Sequence, residues 1–163
     1  MPVRIPTAQQ RRKKLNAERK KRARQTVTIR IPMIPPTFNE WDRGRTKNAQ
    51  IGRQARYKED AYKALLVATA NLKHPIPVPC IIRTIVYKKY PNRGDAQNLT
   101  TPVDKMFLDG LTSPRPPKKR GLGLLPDDRG RFCTVCTPIC RKAHEGIEYT
   151  EMVFEPRKGS MGQ

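Results

Sequence analysis

Four aspartates, Asp95, Asp109, Asp127 and Asp128, are the side chains of this sequence best suited to chemistry. The chain carries 34 Lys+Arg against 14 Asp+Glu, so acids gathered at the ends of strands or helices in basic surroundings stand out. A hard divalent cation takes oxygen ligands, and Mg²⁺ needs only a few carboxylates beside water and substrate phosphate. Without a cation, clustered aspartates repel a phosphodiester. With one they become a positive centre that polarises phosphorus and deprotonates water. Ordinary salt bridges with nearby Lys and Arg account for the same residues on composition alone.

A second donor set, Cys133-x-x-Cys136-x-x-x-Cys140-x-x-x-His144, has enough sulfur and nitrogen for a tetrahedral zinc site. If 132–140 is one strand, Cys133 points to one face and Cys136 and Cys140 to the other, and no glycine lets the segment fold into a knuckle. Half-buried thiols are the plainer reading.

The elements that must position these groups follow from periodicity. Residues 26–31 alternate polar and apolar, as does 147–154, and both read as half-buried strands. Cys80 to Tyr87 is rich in β-branched residues and reads as another strand; Phe132 to Cys140 is a fourth. Tyr57, Ala61, Ala64, Leu65, Ala68 and Leu72 recur at helical spacing and predict a helix over 51–72. Thr101 as N-cap, Pro102 at the first helical position and Asp104 three after Thr101 predict a short second helix. Met106, Phe107 and Leu111 would form its buried face. Pro32, Pro35 and Pro36 end the first strand, Asn39-Glu40-Trp41 opens a polar loop to about residue 49, and 112–126 is a long Pro/Gly-rich loop. Trp41 reads as an anchor for its loop ahead of a base-stacking platform.

A net charge of +20 over 163 residues favours a polyanionic partner, and nucleic acid is the natural one because each neutralised phosphate releases counterions. Residues 1–24 hold ten Lys/Arg and one acid, Glu18, with almost nothing to bury, and predict a disordered basic arm. An anionic membrane surface is the rival partner, weakened by the lack of a basic amphipathic helix with a bulky apolar face. No apolar run has signal-peptide or membrane-span length, so no membrane association and a cytoplasmic location are expected. Four cysteines without a secretion signal read as thiols.

In order along the chain come Ile34-Pro35-Pro36-Thr37-Phe38-Asn39-Glu40-Trp41, Arg93-Gly94-Asp95-Ala96-Gln97-Asn98, Lys105-x-x-x-Asp109-Gly110-Leu111 and Asp127-Asp128. This order, over about residues 27–155, resembles the RusA-type Holliday junction resolvases of bacteria and their phages. The family's second Asp of Asp-x-Asp-Asn falls on Gln97, the spacing from Asn98 to Lys105 is longer than in the compact motif, and the basic stretch 112–120 is an addition.

The resemblance implies a single α+β domain over 26–156, with a mixed sheet of four or five strands and two main helices. Residues 1–25 would be a basic arm and 157–163 a flexible tail. It implies a crossover junction endodeoxyribonuclease, a metal-dependent phosphodiester hydrolase acting on branched double-stranded DNA, four-way junctions above all, in recombination, repair or phage DNA processing. Asp95, Asp109, Asp127 and Asp128 would hold Mg²⁺, with Mn²⁺ as a substitute, and Asp95 with Asp128 would be the direct ligands. Lys105, four before Asp109 and so on its helix face, would approach the scissile phosphate. The implied assembly is a homodimer, near the nucleoid of a bacterial or phage-infected cell. DNA contacts are expected from residues 11–24, Lys88, Lys89, Arg93, Asn98, Arg115, Lys118, Lys119 and Arg120. The alternative is a non-catalytic nucleic-acid-binding protein, zinc-stabilised through Cys133, Cys136, Cys140 and His144.

Overall fold

Strand β1 (Val27–Ile31) buries Val27, Ile29 and Ile31 and exposes Thr28 and Arg30, the period of two that its sequence predicts. Strand β2 (Cys80–Lys88) repeats the pattern with Cys80, Ile82, Thr84 and Val86 inward, and β5 (Tyr149–Pro156) with Thr150, Met152 and Phe154. In the computed structural model, which describes residues 25–92, 95–112, 121–126 and 131–157, these strands share one sheet. β5 lies between β1 and β2 and is antiparallel to both, with Ile29 opposite Met152 and Ile82 opposite Phe154. β3 (Cys133–Val135) and β4 (Ile139–Lys142) pair in parallel with the other edge of β2. The result is the expected α+β architecture, a five-stranded mixed sheet with two main helical runs. The predicted arm and tail lie outside the described residues, apart from Gln25 and Arg157 at their borders.

The predicted strand 132–140 is two strands. Cys133 pairs with Cys80 and Val135 with Ile82, but Ile139 pairs with Ile85, so 136–138 stand opposite only Arg83 and Thr84. Pro138 cannot donate to a ladder, and the extra residue is absorbed as a bulge. Strand parity therefore reverses between β3 and β4. Cys140 sits across from Val86, on the same inward side as Cys133, and not on the opposite face as a continuous strand would require.

Short helix α1 (Phe38–Trp41) occupies the expected polar loop. Thr37 caps it, with the Glu40 N–H donating to Thr37 Oγ1 (3.4 Å) and the Thr37 N–H to Glu40 Oε2 (2.8 Å). Trp41 is buried and stacks on Tyr57 at 6.2 Å, the anchoring role. Helix α2 (Lys47–Thr69) begins one turn earlier than its apolar spacing suggests, because Thr46 caps it through the Ala49 N–H (3.2 Å). Its second half buries Ala61 and Leu65.

The second run differs most from expectation. It starts at Asp95 and not at Pro102. α3 (Asp95–Val103) continues through a wide π-helical turn (Asp104–Leu108) into the single turn α4 (Asp109–Leu111). Pro102 lies inside α3, where it withholds one N–H from the ladder. Just beyond it the helix widens, and the Asp109 N–H reaches Asp104 O, five residues back. Leu99, Val103, Met106, Phe107 and Leu111 bury the stripe that lies on the sheet and α2. Leu111 O then accepts from Leu124 N–H (2.9 Å) and Leu125 N–H (3.0 Å), returning the chain to the end of the run.

Gly110 lies where the second run meets α2. A Cβ there would fall 2.6 Å from Cδ1 of the fully buried Leu65. Gly110→Val should therefore overpack this contact and destabilise the protein by about 1–3 kcal/mol, read as a lower denaturation midpoint at unchanged m-value.

Candidate functional site at the end of strand β2

The inward stripe of β2 runs Cys80, Ile82, Thr84, Val86 and ends on Lys88. The inward stripe of α3 runs back from Val103 through Leu99 and ends on Asp95. Both apolar stripes thus terminate in a charged residue at the same edge of the core, and their pairing follows from the two periodicities. Lys88 Nζ donates to Asp95 Oδ2 at 2.9 Å, and the Asn92 N–H donates to the same oxygen at 3.0 Å. Asp95 is 6% exposed.

Burial would raise the Asp95 pKa. The Asn92 N–H and the Lys88 ammonium outweigh it, and together they hold the carboxyl below its ordinary 3.8. The carboxylate is therefore ionised at neutral pH. Cys140 lies close enough to feel it: burial first and the Asp95 charge second push that thiol up, while Lys88 pulls it down. Lys89, Arg141 and Lys142 follow at the same strand ends. The Lys89 N–H is held by Glu148 Oε1 (2.8 Å), and its ammonium lies 5.4 Å from the Tyr90 ring. On the opposite face of this sheet end, Tyr87 stacks on Tyr149 at 4.3 Å and the Arg30 guanidinium covers Tyr149 at 3.7 Å. The sequence reading missed Cys140 as a neighbour of Asp95, and Arg141 and Lys142 as cations of the same sheet end. Their only signal was the bulge at Pro138, which turns Cys140 inward.

The other predicted site residues are placed differently. Asp109 and Asp95 begin α4 and α3 of one continuous helical run, fourteen positions apart. At about 1.5 Å per residue they are separated by roughly 20 Å along it, beyond the reach of one cation with ligand distances near ~2.1 Å. Lys105 is exposed on the π-helical turn, one turn before the half-buried Asp109, as its spacing requires. Gln97 and Asn98 are exposed on the first turn of α3. Asp127, Asp128, Arg93, Arg115, Lys118, Lys119 and Arg120 lie outside the described residues.

Among the described residues no three His, Cys, Asp or Glu side chains gather as metal ligands. A single carboxylate with a neighbouring thiol falls short of a Mg²⁺ shell, so Asp95 would need carboxylates from beyond this cluster. The zinc set fails on distance. Cys133 and Cys140 stand opposite Cys80 and Val86, six β2 residues or about 20 Å apart. His144 is exposed and pairs only loosely with Glu145 at 3.8 Å. No helix among the described residues is long and apolar enough to cross a membrane.

Because its folded pKa is depressed, Asp95 contributes stability that is fully present above its ordinary 3.8 and is lost as pH falls through the lower folded value. Lys88→Met should raise the Asp95 pKa and move the acid limb of the unfolding profile to higher pH. Asp95→Asn should flatten that limb, and thermal unfolding across an acid series checks both. In comparisons with known proteins, no family model, curated protein or solved structure matches the chain.

Proposed function

We propose that the protein is a metal-dependent endonuclease that cuts the phosphodiester backbone of branched double-stranded DNA, four-way junctions foremost. The observation that carries this reading is Asp95: a nearly buried carboxylate, kept ionised beside Lys88, at a sheet end supplied with Lys89, Arg141 and Lys142. Cations at that end suit a phosphate, and an ionised carboxylate among them suits a divalent ion that bridges protein and phosphate. When bound, Mg²⁺ or Mn²⁺ would supply the Lewis acid and the activated water. Asp95 is the described residue proposed as a ligand, and Asp127 and Asp128 are added to it on the strength of the family resemblance alone. Lys105 and Asp109, at the far end of the run, serve phosphate contact and local structure in this proposal and do not share the Asp95 ion. The proposed working form is a homodimer in the cytoplasm, because two related sites suit symmetric nicking of a junction.

The separation of Asp95 from Asp109 favours a second reading, a nucleic-acid-binding protein whose acids are structural. Cleavage separates the two. A synthetic four-way junction and a linear duplex are incubated with wild type, Asp95→Asn, Asp128→Asn and Lys105→Ala, with and without Mg²⁺. The nuclease reading expects cutting of the junction only with the metal. It expects both Asp variants to bind without cutting, and Lys105→Ala, at the far end of the run, to weaken junction binding while cutting persists. Full cutting by Asp95→Asn and Asp128→Asn would remove the site assignment, and no cutting by wild type would leave the binding-protein reading.

A further inference from the structure

Helix α2 is packed along only half its length. Ala61 and Leu65 are buried, whereas every residue from Lys47 to Arg56 is exposed except the half-buried Gln50 and Gln54. Those two glutamines hold the helix to α1: Gln54 Nε2 donates to Trp41 O (3.4 Å), and Gln50 Nε2 donates to Asp42 Oδ1. The first three turns are therefore a rigid rod braced at its base by Trp41 and Tyr57, with its outer side bare.

The charge on this rod is one-signed. From Arg43 to Lys58 the chain has Arg43, Arg45, Lys47, Arg53, Arg56 and Lys58 and no acid, and all six are exposed. None of them forms an ion pair with a described acid. Between them, Asn48, Gly52 and Ala55 fall on one exposed face at helical spacing, and a Cβ on Gly52 would meet nothing within 4 Å. At about 100° per residue, Lys47 and Lys58 flank this small-residue face on one side and Arg53 and Arg56 on the other.

We infer that the first half of α2, with Arg43 and Arg45, is a duplex-binding arm that lies in a groove of double-stranded nucleic acid. Small side chains let the helix axis come close, and the flanking cations meet phosphates on the two walls. An α-helix of about 10–12 Å diameter matches a major groove of about 12 Å. Lys47 to Lys58 spans about 16 Å, close to half a helical turn of B-form DNA. A second copy of this chain fits the bare face poorly, because six unneutralised cations would meet six more. The inference rests on the nucleic-acid part of the proposed function and is independent of its metal chemistry.

The test uses the full chain in EDTA, so that cutting plays no part, with fluorescence anisotropy of a short labelled duplex over a salt series. Arg53→Gln/Arg56→Gln should weaken duplex binding and make the slope of log K against log[salt] shallower by about 1–2. Lys63→Gln/Lys73→Gln, with the same net charge but in the second half of α2 and beyond its end, should keep the wild-type slope. Gly52→Leu removes no charge and favours the helix, yet should weaken duplex binding by filling the approach face. A wild-type slope in the Arg53/Arg56 variant would overturn the inference. So would an equal change in the Lys63/Lys73 control, wild-type affinity in Gly52→Leu, or losses confined to single-stranded oligonucleotide. Loss of duplex binding in these variants together with an inactive wild type would leave the arm standing and remove only the nuclease reading.

Discussion

The alternation of β2 is the constraint on which the rest of this structure depends. It is the longest strand among the described residues, it pairs with three others, and its inward residues share one buried core with the second helical run. Hydrophobic burial in that core has no direction of its own. The pleat supplies one, because a shift of one residue would turn Ile82 and Val86 outward and Arg83 and Tyr87 inward. Everything at the candidate site inherits this register. Lys88 reaches Asp95 because it is the next inward position after Val86, and Cys140 approaches Asp95 because the bulge returns it to that inward row.

The parts of the fold written in a simple period were legible in the sequence. β1, β2 and β5 fall within about two residues of their expected bounds, since each buries one face against a core and exposes the other. The second helix was misplaced because Thr101-Pro102-x-Asp104 imitates a helix start so well. The stronger signal was the stripe of Leu99, Val103, Met106 and Phe107, which runs straight across the proline and needs a continuous helix to be buried. Tertiary burial thus prevailed over a local capping pattern. The division of 132–140 into two strands was marked only by Pro138, and the reversal of parity that follows changes which cysteines face the core.

The candidate site was legible in part. Asp95 was singled out for its place among cations, and its ionised, nearly buried state bears on that choice. The spacing of Asp109 from Asp95 was readable as well, but only once both residues are known to share one helical run does it become a distance. Residues far apart in sequence meet easily across a sheet. Fourteen residues along a single helix do not.

The Lys88–Asp95 pair couples two positions that are seven residues apart in sequence. Replacing either one alone strands a charge at the edge of the core, a change that costs about 3–5 kcal/mol in comparable buried pairs. Replacing both with apolar residues of similar size is commonly neutral for a fold, or better. Single substitutions here are thus steep descents on either side of a double substitution that is nearly level. A lineage selected for folding alone could cross to the uncharged pair at little loss, and the fold makes no demand of its own for charge at either place.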